Sequence, residues 1–257
     1  MDAVPEVVSF GSADALAINV ADRLLARLGT LQREGRTPSI VLTGGSIAVA
    51  IYREVARAHR GLRRSPTAPV DWSRVDFWFG DERFVPSDHP DRNAGQAARA
   101  MLDFLPVDPD RVHIMAPSDG EYGEDVDAAA AAYAEELHGA IGPFDVLMLG
   151  IGPDGHCASL FPGRHEMYDD RPVVAVRNSP KPPPTRITLT MGPLRGAREL
   201  WWVAAGNDKA QAVRDAMTGA DPVDVPAAGP KGLERTLWML DEAAASLVPP
   251  DTDLLRR

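Results

Sequence analysis

One histidine lies where the sequence can give it a chemical task. His156 lies in the stretch LGIGPDGHCASLFPG (149–163), which contains four glycines and follows the apolar run FDVLM. Asp154 precedes it by two residues, close enough to orient the imidazole ring. Histidine is the side chain whose ordinary pKa lies nearest to neutral pH, so a neutral imidazole held in this way can activate water as a general base. The pattern predicts His156 as a base with Asp154 as its partner, and a structural histidine is the alternative. The remaining histidines are interpreted as structural or surface residues: His59, His89, His113, His138 and His165.

A second motif is suited to bind an anion. The stretch LTGGSIAVAIY (42–52) runs from a predicted strand through Gly44 and Gly45 into a helix, with Ser46 predicted at the N-cap. Gly44 and Gly45 would let backbone N–H groups face outward, and the helix dipole adds positive potential, so the turn can hold a phosphate. The alternative is an ordinary strand-to-helix turn closed by a serine cap. The turn is not a Walker loop, because the GxxxxGK[ST] pattern is absent.

Charged residues follow another predicted strand. Asp81, Glu82 and Arg83 come directly after VDFWF. Since three charges cannot all be buried without partners, we expect them at a cleft or on the surface. Arg83 carries the planar fork that suits a phosphate, and a surface ion-pair cluster is the alternative. Further candidate substrate contacts are Asp81, Lys181, Arg186 and Lys209. Each of the three cations, Lys181, Arg186 and Lys209, would alone be interpreted as a solvated charge. Together with Arg83 they carry enough positive charge for one phosphate.

Other interpretations of the glycine-rich stretch fit less well. GIGPDG (150–155) matches G-x-G-x-x-G, but Pro153 and Asp154 occupy the turn that a pyrophosphate would approach, and the motif lies mid-chain, which disfavours a dinucleotide site. Cys157 neighbours His156, yet adjacent residues rarely reach the geometry of a nucleophile and its base, so we interpret it as a small apolar filler. A single cysteine and the absence of H-E-x-x-H give no metal site.

The elements that must position these residues alternate between strands and helices. Strands are predicted at 39–44, 75–80, 144–150, 172–176, 186–191, 199–206 and 236–241, and helices at 14–34, 47–59, 94–105, 124–141 and 209–218. This alternation predicts an α/β fold in which a doubly wound, mostly parallel sheet carries helices on both faces. We find no linker that divides the chain and predict a single domain over residues 1–257. The polar turns TGGS, GDER, GIGPDGH and GNDK follow four of the strands, so they are expected to form one site at the carboxyl edge of the sheet.

Composition limits the partners. Asp and Glu outnumber Lys and Arg by 37 to 27, which gives a formal charge of −10 and argues against nucleic acid or an anionic membrane surface. The start of the chain lacks a secretory pattern, and no apolar run approaches membrane-spanning length. With one cysteine, the chain fits a reducing compartment, and a cytoplasmic location is expected.

Taken together, these motifs resemble the 6-phosphogluconolactonase family. The similarity spans nearly the whole chain, because TGGS, FGDERFVP, GIGPDGHCASLFPG, SPKPPPTRITLT, GNDKAQAV and LWMLDEAAA occur in that family's order. The resemblance implies the α/β fold that these lactonases share with glucosamine-6-phosphate deaminases. It also implies hydrolysis of 6-phospho-D-glucono-1,5-lactone in the pentose phosphate pathway without cofactor or metal, and a functional link to glucose-6-phosphate dehydrogenase and 6-phosphogluconate dehydrogenase.

The resemblance also assigns roles to residues. It implies His156 as general base, Asp154 as its partner, and the 43–46 turn with Arg83 and Lys181 as phosphate contacts. Arg186 and Lys209 match family positions with less defined roles, and Cys157 replaces the threonine of most relatives. Two alternatives stay open: a deaminase, disfavoured because ASLFPG follows the histidine, and a non-catalytic sugar-phosphate sensor, disfavoured because binding alone needs no base.

Overall fold

The chain forms ten strands and six α-helices in the part that the structure describes. The computed structural model describes residues 5–66, 69–139, 143–249, 252 and 254–256. The strands are β1 (Glu6–Phe10), β2 (Ser39–Leu42), β3 (Asp76–Phe79), β4 (Asp81–Arg83), β5 (Val146–Leu149), β6 (Val173–Val176), β7 (Arg186–Leu189), β8 (Glu199–Ala204), β9 (Arg235–Asp241) and β10 (Leu254–Arg256). The helices are α1 (Ala13–Arg33), α2 (Ser46–His59), α3 (Asn93–Ala100), α4 (Val126–Gly139), α5 (Met191–Leu194) and α6 (Ala210–Met217).

Seven of these strands form a parallel sheet in the order β10-β1-β9-β8-β5-β2-β3. From β2 the chain moves outward to β3, whereas from β5 it moves in the opposite direction to β8 and then β9. The strand order therefore reverses between the neighbours β2 and β5. Such a reversal opens a crevice at the carboxyl ends of the two strands, which is where open α/β sheets bind ligands.

Alternate residues of each parallel strand enter two separate cores. Along β2, Ile40 and Leu42 pack on one face against α1, α2 and α3, whereas Val41 packs on the other face. The second face is covered by α4, α6 and a smaller sheet. Because both faces are buried, the strands are apolar at nearly every position, as a parallel sheet between helices requires. The predicted α/β class with a mostly parallel, doubly covered sheet is confirmed.

The strands predicted at 172–176 and 186–191 lie outside the main sheet, which corrects the expectation that they extend it. They correspond to β6 and β7, which pair antiparallel with each other and with β4 in the order β4-β7-β6. Only nine residues separate Val176 from Arg186, too few for the crossover that parallel neighbours need. The small sheet packs Ile187 and Leu189 into the second core.

Several element ends also differ from the sequence predictions. Ser46 is the first residue of α2 and not its N-cap; the N-cap is Gly45, at φ 101°. The helix predicted at 94–105 ends as α3 at Ala100 and is followed by a 3-10 turn, Leu102–Phe104. Ile141, the last residue of another predicted helix, lies outside the described residues. Within the described residues, no helix is long and apolar enough to cross a membrane.

Candidate functional site

The turns after neighbouring strands meet in one cleft at the reversal of strand order. Residues after β2, β5 and β8 line it, together with residues from β4 and from the loop between β6 and β7. The turn after β5 contacts the turn after β2, because Gly150 N donates to Thr43 Oγ1 at 3.4 Å. The lining residues are Thr43, Gly44, Gly45, Ser46, Ile47, Asp81, Arg83, Asn93, Gly150, Ile151, Gly152, Pro153, His156, Ala158, Lys181, Arg186, Val203, Ala204, Ala205 and Lys209.

This cleft brings together the residues that the sequence singled out. All the candidate residues line it except Asp154, which contacts His156 from behind. The charged side chains that line it are four cations and one carboxylate, that of Asp81; the cations are Arg83, Lys181, Arg186 and Lys209. The cleft is therefore locally basic although the whole chain carries a formal charge of −10.

The imidazole of His156 is held by its Nδ1 atom. Asp154 Oδ1 lies 2.5 Å from Nδ1, and Phe161 packs against the ring with 4.6 Å between ring centroids. An ionised carboxylate can only accept hydrogen bonds, so the network assigns the proton to Nδ1. This tautomer leaves Nε2 as the ring nitrogen that can accept a proton.

The carboxylate of Asp154 accepts hydrogen bonds from two side chains, those of His156 and Lys181. Lys181 Nζ lies 3.0 Å from the same Oδ1 atom and 3.2 Å from His156 Nδ1. Burial alone would raise the pKa of Asp154, but the hydrogen bonds and charges of His156 and Lys181 outweigh it and hold that pKa well below its usual range. The carboxylate is therefore ionised at neutral pH.

The turn at 43–46 ends in the first turn of α2, which has no side-chain cap. Gly45 adopts φ 101°, a conformation that glycine reaches without a Cβ penalty. The first N–H groups of an α-helix lack intrahelical acceptors, and here Ser46 and Ile47 line the cleft. This end of α2 thus presents N–H donors and a positive dipole to whatever occupies the cleft.

Asn93 joins this turn to the end of the neighbouring strand. Its Nδ2 donates to the backbone oxygen of Asp81 at 2.9 Å and to Oδ1 at 3.1 Å. A Cβ on Gly44 would lie 2.1 Å from Asn93 Oδ1, so a larger residue there must displace the Asn93 side chain. Asp81 also accepts from Ser159 Oγ at 2.6 Å, which ties the loop after His156 to the same strand end.

Glu82 is buried, contrary to the expectation that it lies at a cleft or on the surface. Its carboxylate accepts from the backbone N atoms of Asn93 at 2.6 Å and Ala94 at 2.9 Å, and Arg92 lies 3.5 Å away. Burial raises the pKa of Glu82, and Arg92 with these N–H groups works against that rise. The carboxylate caps α3 from a distant strand and so fixes Asn93.

The cations of the cleft differ in how much of their binding capacity the protein uses. Arg83 Nη1 donates to Asp91 O at 2.5 Å, while its Nε has no hydrogen-bond partner among the described residues. Lys209 pairs with the exposed Asp208 at 2.9 Å. Arg186 is buried and donates to three successive carbonyl groups, so its donors are largely taken.

Cys157 points into the core and not into the cleft. It is fully buried, and burial raises the pKa of its thiol. This position agrees with the interpretation of Cys157 as an apolar filler. Among the described residues, no cluster of His, Cys, Asp or Glu could hold a metal ion.

Sequence reasoning did not single out Asn93, Ser159 or Gly152. Asn93 directly precedes a predicted helix, a position where asparagine often has a capping role, and this signal could have identified it. Gly152 matters because a Cβ there would lie 1.9 Å from His156 Nδ1. The partners of Ser159 lie 27 to 78 positions away in sequence, so no local pattern reveals them; they are Asp81, Arg186 and Thr188.

Comparisons with known proteins identify the family of this chain. Residues 11–238 match the family described as glucosamine-6-phosphate isomerases/6-phosphogluconolactonase. The chain is 48% identical to a 6-phosphogluconolactonase of Streptomyces coelicolor, over 97% of each chain. The structure of a 6-phosphogluconolactonase from Trypanosoma cruzi is similar with a TM-score of 0.77 and 27% identity, over 96% of this chain and 97% of the other. A monomeric glucosamine-6-phosphate deaminase, 20% identical, shares the fold with a TM-score of 0.77 over 94% of this chain and 99% of the other. The chain therefore belongs to the glucosamine-6-phosphate isomerase/6-phosphogluconolactonase family.

Proposed function

We propose that this chain is a 6-phosphogluconolactonase, which hydrolyses 6-phospho-D-glucono-1,5-lactone to 6-phospho-D-gluconate. The observation that carries the proposal is the Asp154–His156 pair at the edge of a basic cleft. A carboxylate that fixes the imidazole tautomer serves proton transfer, whereas binding alone does not need it. The names of the curated relatives support the same substrate.

The phosphate of the substrate docks on the 43–46 turn and Arg83 in this proposal. The N–H groups at the start of α2 and the guanidinium group of Arg83, both of which line the cleft, supply donors for a dianion. Lys209, which also lines the cleft, adds positive charge. Binding the remote phosphate holds the lactone carbonyl beside His156 and turns binding energy into orientation.

Hydrolysis then needs one base and no covalent intermediate. His156 Nε2 takes a proton from water, and the oxygen attacks carbon 1 of the lactone. The π electrons of the carbonyl group move to the carbonyl oxygen, which becomes the oxyanion of a tetrahedral intermediate. When that intermediate collapses, the bond to the ring oxygen breaks, and the imidazolium returns its proton to the leaving oxygen. Asp154 stabilises the imidazolium between these steps through Nδ1.

The cellular context is part of the proposal. The lactone is the product of glucose-6-phosphate dehydrogenase and the acid is the substrate of 6-phosphogluconate dehydrogenase, so the chain would act between these enzymes. The single cysteine supports a cytoplasmic location, and the family match over residues 11–238 supports one domain across residues 1–257.

Acid release from freshly prepared lactone at constant pH tests the function. His156→Ala should lower kcat by roughly 100- to 10,000-fold, the usual contribution of a general base. His165→Ala is the matched control, because that ring lies outside the cleft and its side chain is 79% exposed. Near wild-type turnover by His156→Ala would exclude the mechanism. Ammonia release from glucosamine 6-phosphate would instead identify a deaminase, and tight binding without turnover of either compound would identify a sensor.

Arg83→Ala tests the docking of the phosphate. Losing one charge-assisted contact of about 1.5–3 kcal/mol should raise KM by roughly 10- to 100-fold with a smaller effect on kcat. Arg57→Ala is the control, since Arg57 lies in the last turn of α2, at the opposite end from the cleft, and pairs with Glu54. An unchanged KM in Arg83→Ala would remove Arg83 from the docking site.

A further inference from the structure

Lys181 contacts the base and its carboxylate, not the helix end that is suited to phosphate. Its Nζ lies 3.0 Å from Asp154 Oδ1 and 3.2 Å from His156 Nδ1. The Oδ1 atom of Asp154 thus contacts both the imidazole ring of His156 and the ammonium group of Lys181, so the three side chains form one cluster. This contact differs from the phosphate role that sequence resemblance gives to Lys181.

The cluster resolves a conflict inherent in an Asp–His pair. A carboxylate that orients an imidazole also stabilises its protonated form, and a protonated ring cannot take a proton from water. A cation on the same carboxylate offsets that negative charge and repels the imidazolium. The ring can then be oriented by Asp154 while it stays in the neutral form that a base requires.

A clamp in the fold holds Lys181 in this position. Arg186 Nη2 donates to the backbone oxygens of Lys181 at 3.0 Å and Pro182 at 3.1 Å, and Nε donates to Pro183 O at 3.1 Å. Ser179 Oγ donates to the same Lys181 oxygen at 2.9 Å. Arg186 is 4% exposed, so its guanidinium is a fixed part of the small sheet. The loop that carries Lys181 is therefore built to a defined shape.

The other charged groups of the cleft are engaged elsewhere. Asp81 accepts from Asn93 and Ser159, and Arg83 donates to the backbone of Asp91. Lys209 pairs with Asp208. Among the described residues, Asp154 and Lys181 are the charged side chains with a contact to the ring of His156.

We propose, resting on the lactonase function above, that Lys181 is a positioning and charge-balancing residue for the Asp154–His156 pair, and that Arg186 holds it there. Lys181 keeps the oriented imidazole neutral and ready to accept the proton of water. Arg186 acts through Lys181 and makes no contact with the phosphate.

Two substrates separate this role from phosphate binding. Lys181→Met should lower kcat/KM by a similar factor for the phosphorylated lactone and for D-glucono-1,5-lactone, which has no phosphate. Arg83→Ala, the comparison variant, should lower it for the phosphorylated lactone only. A Lys181→Met defect that disappears with the unphosphorylated lactone would overturn the proposal. A wild-type chain that hydrolyses neither lactone would overturn the proposed function instead.

The pH dependence gives a second readout. Removing the cation favours the imidazolium, so the acid limb of the kcat/KM profile should move to higher pH in Lys181→Met. Lys181→Arg should keep the limb near its wild-type position, and Arg186→Lys should move it in the same direction as Lys181→Met. NMR of the His156 ring follows the same protonation without turnover, and thermal unfolding checks that each variant is folded. If kcat of Lys181→Met falls equally at every pH, while the acid limb of the kcat/KM profile and the titration of the His156 ring do not move, Lys181 contacts the oxyanion. This result would refute the charge-balancing role.

Discussion

Alanine at position 152 should disable the base without unfolding the chain. A Cβ on Gly152 would lie 1.9 Å from His156 Nδ1 and 2.5 Å from Asp154 Oδ1. Ordinary contacts begin at 3.4 Å, so the ring must retreat by about 1.5 Å, the difference between these two distances. Such a movement breaks the hydrogen bond between Nδ1 and Asp154. The backbone itself accepts alanine, because Gly152 does not have a positive φ.

The size of the effect follows from this displacement. A misplacement of about 1 Å in a reacting group can cost roughly 100-fold in rate. We therefore expect kcat of Gly152→Ala to fall by at least about 100-fold, toward the value of His156→Ala. KM should change little, because the 43–46 turn and Arg83 keep their positions.

Initial rates of acid release at constant pH measure both parameters, and thermal unfolding shows whether the fold survives. Gly11→Ala is the matched control, since a Cβ there meets no atom within 4 Å and Gly11 has no positive φ. A folded Gly152→Ala variant that keeps kcat within about twofold of wild type would show that the position of the ring does not limit the reaction.

Three further predictions follow from the same network. Cys157 should resist iodoacetamide in the folded protein, because burial raises the pKa of its thiol, and should react after unfolding in urea; rapid labelling of the native chain would contradict its packing role. Burial opposes the shift, but His156 and Lys181 lower the pKa of Asp154 in the folded protein. The ionised carboxylate therefore stabilises the fold above the ordinary aspartate pKa of about 3.9, and this contribution to the free energy of unfolding is lost as the pH falls through the lower pKa of the folded state. Urea titrations should show that the difference in the free energy of unfolding between wild type and Asp154→Asn shrinks only at low pH. A difference that grows toward low pH would contradict this prediction. Gly44→Ala should cost about 2 kcal/mol by displacing Asn93, whereas Gly44→Ala added to Asn93→Ala should cost almost nothing; equal costs in both backgrounds, measured by chemical denaturation, would refute the contact.

Five of the seven strands of the central sheet, β2, β3, β5, β8 and β9, were predicted because their signals are local, whereas β1 and β10 were not predicted. Apolar runs that end in glycine, such as those before Gly44, Gly80 and Gly150, mark strand ends that parallel pairing brings to one edge. That rule sufficed to predict that the turns after β2 and β5 meet, and the structure brings them into contact through Thr43 and Gly150.

Two strands of the small sheet, β6 and β7, were predicted, but their pairing apart from the main sheet was not, because the signals for it are not local. β4 has only three residues and pairs with β7, more than a hundred positions away. Glu82 was expected near solvent since its partners, the N–H groups at the start of α3, are supplied by tertiary structure. The N-cap was placed at Ser46 because serine is a common cap, whereas the positive φ of Gly45 allows the cap to lie one residue earlier.

The attachment of the cleft to two different sheets has an evolutionary consequence. The wall formed by α2 and the turn after β2 belongs to the parallel sheet, whereas the loop that carries Lys181 joins two strands of the antiparallel one. Each function of the cleft draws on both sheets, because the phosphate turn and the base follow β2 and β5 of the parallel sheet, whereas Arg83 lies on β4 and Lys181 between β6 and β7 of the antiparallel one. During divergence, a change in how the two sheets pack would therefore alter sugar-phosphate recognition and bond cleavage together.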